Sequence, residues 1–316
     1  MTNTIVNVKD LSREEWLEYR QLGIGGSDAA AACGLSKWKS PAQLYLDKTA
    51  PIERQESESE HLRQGRDFED YVAKRFTEAT GKKVRRDNHM MSDDEYPFLI
   101  ADIDRRVVGE DAILECKTAS PYVKDKWADG QIPIEYELQC LHYMSVTGVK
   151  KCYIACLIFG QDFIIREIDW DDETIEMLRA KEIEFWTEYV EKGVMPEPDG
   201  SSAYDDALKK RFAGGLDETV TLDIGREMFR SYMDRKELIK ELEGLNAMIE
   251  QEIKVQLGDA NFGENELFTV SYKPSKSVRL DTKRIKKEAP EIYEKYGKET
   301  ESRRFLIKEV REDDNN

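Results

Sequence analysis

Asp104, Glu115 and Lys117 are the residues of this sequence whose types and spacing are equipped for chemistry, with Glu69 upstream and Gln139 downstream of them. Asp104 closes the apolar-flanked "ADID", and Glu115 and Lys117 stand two apart in "LECKTAS". Val107-Val108 and Ile113-Leu114 read as strand, joined by a turn at Gly109-Glu110-Asp111. Residues two apart on a strand share a face, so Glu115 and Lys117 point the same way. Carboxylates on neighbouring strands suit Mg²⁺ or Mn²⁺, which prefer oxygen ligands. An ammonium beside them can orient or help deprotonate a water, or neutralise a charged transition state. Together these groups are equipment for metal-assisted phosphodiester hydrolysis. A Glu-x-Lys pair alone is more often a solvated strand face. Here it follows an Ile-Leu run, where a solvated face is less natural.

The elements that must position these groups follow from periodicity. "SREEWLEYRQLG" opens a helix with a capping box, Ser12 and Glu15. "GIGGSDAAAACGLS" makes a glycine turn, with Ser27 or Asp28 capping the Ala-rich helix after it. A short helix starts at Pro41, and "APIERQESESE" is a polar loop. "HLRQGRDFEDYVAKRFTEATG" is an amphipathic helix with Phe68, Val72 and Phe76 on its apolar face and Gly81 at its end. Short strands are expected around Val84, Phe98–Ile100, Arg106–Val108 and Ala112–Lys117. "IPIEYELQCLHYMSVTG" follows as a helix, then a hairpin around Gly160-Gln161, then the long helix "DETIEMLRAKEIEFWTEYVEKG".

This order describes an α/β fold with a mixed sheet flanked by helices. Residues 1–195 form its core, 196–216 read as a linker, and 217–316 form a mostly helical extension. In that extension "REMFRSYMDRKELIKELEGLNAMIEQEIKVQLG" is expected to be a helical hairpin or coiled segment.

Composition sets bounds. The chain has 316 residues, 36 % charged and 40 % hydrophobic, with a net charge of −17. That sign opposes non-specific binding to polyanions, though bound cations and a local basic channel override a mean field. No segment approaches the roughly 18 apolar residues of a membrane span, and no secretory signal is visible at the N-terminus. Five cysteines fit reduced thiols in a cytoplasmic protein better than a disulfide framework.

"RQGRDFED", "ADID", "LECKTAS" and "YELQCLHYMSVTG" resemble the nuclease motifs of the YqaJ-like viral recombinase family, relatives of lambda exonuclease. "RQLGIGGSDAAAACGLSKWKSPAQLYLDK" is similar to that family's N-terminal signature, and the likeness covers residues 13 to 195. It implies a restriction-endonuclease-like PD-(D/E)xK fold and a Mg²⁺-dependent exonuclease, with Mn²⁺ able to substitute. Such an enzyme resects duplex DNA from 5′ ends for phage-type recombination. It further implies that Asp104 and Glu115 are the principal metal ligands, that Glu69 assists, and that the Cys116 carbonyl completes the set. Lys117 positions the attacking water, Gln139 supports it, and Arg20 and Ser27 match the residues that contact a 5′ phosphate. Implied partners are double-stranded DNA ends, a single-strand annealing recombinase of the RecT or lambda beta type, and copies of the same chain in a ring-shaped trimer. Ile103 departs from the motif, standing where its name has Pro. An endonuclease of the same fold and a DNA-binding recombinase-assembly module remain alternatives.

Other features carry blander readings. "GIGGS" lacks the Lys-Ser/Thr ending of a P-loop. Cys33, Cys140, Cys152 and Cys156 are read as buried thiols rather than an iron–sulfur clamp. His61, His89 and His142 show no ligand spacing, and the basic run Lys283-Arg284-x-Lys286-Lys287 reads as a solvated face. Trp38 in "LSKWKSP" suits core packing and stacking on DNA ends equally.

Overall fold

Alternation along a single strand organises the fold. In the computed structural model, which describes residues 2–51, 59–298 and 303–307, that strand is Ala112–Ala119. Its residues Ala112 and Leu114 pack to one side with Val72, Ala73 and Phe76, while Ile113 packs to the other with Leu138, Leu141 and Ile154. Period-2 alternation therefore sends Glu115 and Lys117 to the Ile113 side.

The elements run in this order: β1 (Thr2–Asn7), α1 (Arg13–Gln21), α2 (Gly26–Ala32), α3 (Pro41–Thr49), α4 (Glu60–Thr80), β2 (Val84–Arg86), β3 (His89–Asp93), β4 (Ile100–Asp102), β5 (Arg105–Val107) and β6 (Ala112–Ala119). A 3-10 segment, Pro121–Gly130, leads to α5 (Ile134–Thr147), β7 (Lys151–Ile158), β8 (Asp162–Asp169), α6 (Asp172–Phe185) and α7 (Ser202–Arg211). The main sheet has the order β2-β5-β6-β7-β8. Only β6 and β7 pair in parallel, with α5 as their crossover; the other neighbours are antiparallel. This is a central mixed sheet flanked by helices. A second sheet, β1-β3-β4, was not expected from the sequence at β1 and β3. Both are short, and β1 is mostly exposed, so neither carries a clean apolar alternation.

Local chemistry explains most of the boundaries. Ser12 and Glu15 cap α1 reciprocally, as do Ser40 and Gln43 for α3, whose first residue is Pro41. Gly81 and Gly148 close α4 and α5 in the left-handed conformation. The β5–β6 turn carries Gly109 at φ +85°. On α4, Val72 and Phe76 are fully buried, each worth about 1.5–3 kcal/mol over exposure. Phe68 departs from the expected face: it is 36 % exposed and meets Phe159 edge-on at the end of the sheet.

Two further expectations are corrected, and a third lies outside the described residues. The segment 196–216 is not linker throughout, because α7 lies in it and buries Tyr204 and Ala207 in the main core. The Pro, Gly and Ser content that suggested a linker belongs to the loop before α7. The helix after β8 stays α-helical only to Phe185 and continues as a π turn over Trp186–Val190, where Trp186 stacks on Phe98 at 5.2 Å. The polar loop "APIERQESESE" falls largely on residues 52–58, outside those described, as does the side chain of His61.

The described residues divide into two units, within 1–213 and 214–316. The second holds α8 (Arg226–Leu257), the hairpin β9 (Phe262–Glu264) and β10 (Thr269–Ser271), α9 (Thr282–Glu288) and α10 (Pro290–Tyr296). α8 is one continuous helix of 32 residues rather than a helical hairpin, and none of its side chains is buried. No helix among the described residues is long and apolar enough to cross a membrane.

Candidate active site

β6 delivers Glu115 and Lys117 to one face, where they touch: Lys117 Nζ lies 2.7 Å from Glu115 Oε1. α5 crosses that face and brings Gln139 between them. Its amide donates to Glu115 Oε1 at 2.7 Å and to the Tyr143 hydroxyl at 3.1 Å, and its carbonyl accepts from Lys117 at 2.9 Å. Asp104 arrives from the bend between β4 and β5. Its Oδ2 accepts from the Cys116 backbone N–H at 2.8 Å, which ties it to the middle of β6. Asp104, Glu115, Lys117 and Gln139, expected to act together, are thus neighbours in space.

Glu69 enters the same cleft from α4, where Arg105 holds its Oε1 and also holds Asp70. Asp102 and Trp16 are site residues that the sequence reading did not single out. Trp16 Nε1 donates to Asp102 Oδ2 at 2.8 Å, and the indole lies under the guanidinium groups of Arg13 and Arg20. The signal for Asp102 was present in "ADID", where it stands two before Asp104. Asp104, Glu115, Lys117, Gln139, Glu69, Asp102 and Trp16 line a cleft of about 640 Å³ together with Arg66, Thr118 and Tyr136.

The electrostatics are those of crowded carboxylates. Burial pushes Asp104 well above the usual carboxylate range, and the charges of Glu115 and Glu69 push it further. Burial also raises Glu115, more than Lys117 lowers it. For Lys117 burial works against the charge, but Glu115 and Asp104 outweigh it and hold the ammonium protonated. Lys117 is thereby suited to positioning and charge neutralisation rather than to accepting a proton.

Whether this site fits a divalent cation is a question of donors. Among the described residues no group of three or more His, Cys, Asp or Glu side chains converges as a ready-made metal cage. Mg²⁺ does not need one, since it usually binds through one or two carboxylates and keeps several waters. A half-buried and a buried carboxylate, Asp104 and Glu115, facing an open cleft with their charges in conflict are a donor set that a hard cation would relieve. The residues fit the ion.

Arg20 and Ser27 sit on the same cleft but are already engaged. The Arg20 guanidinium donates to Ser27 Oγ at 2.9 Å and to Asp28 Oδ2 at 2.8 Å. Asp28 also binds Lys48 at 2.8 Å and faces Lys39 at 3.7 Å. Burial alone would raise Asp28, but Arg20, Lys48 and Lys39 outweigh it and hold the carboxyl far below its usual range. Lys48 moves the other way, pulled down to about 8, because burial and its fellow cations exceed its one anion. The α2 cap also differs from expectation: Gly25 is the capping residue, and Asp28, at the third helical position, accepts its N–H. Gly26 is needed here for closeness, as a Cβ would come within 2.6 Å of the Tyr143 ring and 2.9 Å of Gln139.

His142, Cys33, Cys140, Cys152 and Cys156 are not among the residues that line the cleft. His142 is fully buried, bonded to Glu182 at 2.7 Å and to the Ile100 carbonyl at 2.8 Å, a polar clasp between α5, α6 and β4. Cys140, Cys152 and Cys156 are buried free thiols, and Cys33 is partly buried. Residues 283–287 lie on exposed α9.

Residues 15–150 match the YqaJ-like viral recombinase domain. The protein YqaJ of Bacillus subtilis (strain 168), itself uncharacterised, is 45 % identical over 306 residues, 95 % of this chain and 96 % of that one. Among solved structures, an alkaline exonuclease from Laribacter hongkongensis aligns over 63 % of this chain and all of its own, at 18 % identity and a TM-score of 0.49. A phage-related exonuclease from Haemophilus somnus aligns over 56 % of this chain and 97 % of its own, at 13 % identity and a TM-score of 0.41. The near full-length identity to YqaJ and the domain match across α1 to α5 place this chain in the YqaJ-like viral recombinase family.

Proposed function

We propose that this protein is a metal-dependent deoxyribonuclease that digests duplex DNA from its ends in support of phage-type recombination. The observation that carries the reading is the Asp104–Glu115–Lys117–Gln139 cluster, with Glu115 and Gln139 buried, opening onto a cleft large enough for a nucleotide. Membership of a viral recombinase family supplies the setting. Asp104 and Glu115 would hold Mg²⁺, or Mn²⁺ in its place, with the Cys116 carbonyl and Glu69 completing the shell. Such an ion supplies Lewis acidity at the phosphoryl oxygen and eases deprotonation of the attacking water.

The chain's own residues supply the rest. Lys117, held cationic, donates to the attacking water or to a nonbridging oxygen as charge builds there. Gln139 fixes both Lys117 and Glu115, so neither swings away when substrate enters. Arg20 and Ser27, which line the same cleft, receive the 5′ phosphate and give the reaction its 5′-to-3′ direction. A single-strand annealing recombinase is the partner that would take up the exposed strand, in the cytoplasm of a bacterium or a phage-infected cell. A ring of three copies would keep the enzyme on the duplex.

End-labelled linear duplex and a covalently closed circle of the same sequence test the reading. Linear DNA should be shortened from its 5′ ends in Mg²⁺, the circle should stay closed, and EDTA should stop the reaction. Opening of the circle would make the enzyme an endonuclease, and full activity in EDTA would remove the metal.

A further inference from the structure

Two aromatic side chains near the cleft are unusually exposed. Trp38 is 75 % exposed in the loop between α2 and α3, and Tyr122 is 96 % exposed at the start of the 3-10 segment after β6. Monomeric surfaces scatter single apolar residues, but large rings left in water beside a functional cleft are informative. These two are accompanied by cations. Lys37 adjoins Trp38 in sequence, Lys126 Nζ lies 5.8 Å from the Trp38 ring centroid, and Lys124 follows Tyr122 by two residues. Lys124 also faces Asp162 at 3.4 Å, an exposed pair that holds it weakly.

The patch is anchored to the site. Trp127, next to Lys126, is buried, with its ring 5.8 Å from that of Tyr136. Tyr136 lines the cleft and lies 5.1 Å from Lys117 Nζ. A second tie is Arg166, which donates to the Trp127 carbonyl from β8. The segment bearing Tyr122 and Lys126 is therefore fixed against the wall that holds the site's lysine. The loop bearing Trp38 is brought to the same segment by Lys126.

We propose that Trp38 and Tyr122, with Lys37, Lys124 and Lys126, form a stacking surface for single-stranded DNA beside the cleft, which takes the strand that is not being hydrolysed. The chemistry selects this occupant. Exposed rings stack on bases of any sequence, and interleaved lysines follow the phosphates of one flexible strand. A paired duplex offers its base faces only at an end. Asp125, Asp129 and Asp162 share this neighbourhood with the lysines, so the two bare rings rather than a net positive charge select a strand with exposed π faces. The inference deepens the nuclease reading and rests on it, since resection of an end is what leaves one strand unpaired.

The test is binding, separate from cleavage. Full-length protein is titrated in EDTA against a fluorescent oligothymidine and against a blunt duplex of equal length, by anisotropy. Trp38→Ala/Tyr122→Ala should weaken the single strand at least tenfold and the duplex less than threefold, and Trp38→Phe should keep most of the affinity. Both residues are exposed, so the fold should survive, which circular dichroism checks. No binding of the oligothymidine by wild type, unchanged affinity in the double variant, or equal loss on both DNAs would overturn the proposal. A parallel digestion in Mg²⁺ reads the other hypothesis: selective loss of single-strand binding in a protein that never hydrolyses DNA upholds this surface and sinks the nuclease.

Discussion

Asp28, buried, and Asp104, half-buried, are aspartates near one cleft, and their surroundings are opposite. Asp28 stands among Arg20, Lys48 and Lys39, and is held as an anion far below its ordinary range. Asp104 stands half-buried near Glu115 and Glu69, and is pushed far above it. The first arrangement satisfies a charge and locks α1, α2 and α3 together. The second leaves charge unsatisfied and aimed at a cleft. Folding alone has no use for that second arrangement, since it costs stability at neutral pH. Chemistry is to be sought at the carboxylate that lacks its counter-ion, rather than at the one best supplied with them.

Exchanging each for its amide should break the comparison most sharply. Asp28→Asn leaves three cations around a neutral group and should cost about 3–5 kcal/mol of stability, the usual penalty for breaking a buried pair. Asp104→Asn should abolish cleavage while leaving stability in EDTA equal to wild type or higher. The pH dependences should be opposite in sign. The stability due to Asp28 is present above its unfolded pKa and is lost as pH falls through the folded value. For Asp104, whose folded pKa is raised, stability is full below the unfolded pKa and is lost as pH rises through the folded one. The advantage of Asp104→Asn should therefore vanish in acid, which chemical denaturation across a pH series would show. A destabilised Asp104→Asn in EDTA would erase the distinction.

Lys117→Ala removes the cation that Glu115 and Asp104 hold charged. It should lower single-turnover cleavage by about 10²–10³-fold, the scale of losing one transition-state donor. DNA affinity should hardly change, because the ammonium acts on charge that develops only during reaction. Normal cleavage would take Lys117 out of the mechanism.

The smallest effect concerns Arg20, which belongs to the satisfied network yet borders the cleft. Wild type should digest 5′-phosphorylated duplex severalfold faster than 5′-hydroxyl duplex, and Arg20→Ala should erase most of that preference. Because Asp28 already takes one Arg20 nitrogen, the preference should be modest. Equal wild-type rates on the two ends would leave Arg20 a purely structural partner of Asp28.

Much of the main sheet was legible because its signals are local. The β5–β6 turn, the α1 capping box and Pro41 at the start of α3 are each written in a few adjacent residues. Period 2 put Glu115 and Lys117 on one face, and the structure brings them into contact. The strands β1 and β3 escaped because they are short and lack a clean apolar period. The helix α7 escaped because Pro, Gly and Ser precede it, and only its packing of Tyr204 and Ala207 reveals that it belongs to the core.

The linear chain carried the residue types of the candidate site and their order: carboxylate, turn, Glu-x-Lys, then Gln139 on a helix. It could do so because spacing along a strand or a turn is a property of neighbouring residues. Only the tertiary structure decided which carboxylate is in company with cations and which with its own kind. Asp28 meets Lys48 across 20 residues, Trp16 meets Asp102 across 86, and Gln139 reaches Glu115 through a crossover helix. Burial and Coulomb interactions depend on distance in space, and a chain sets that distance only after it has folded.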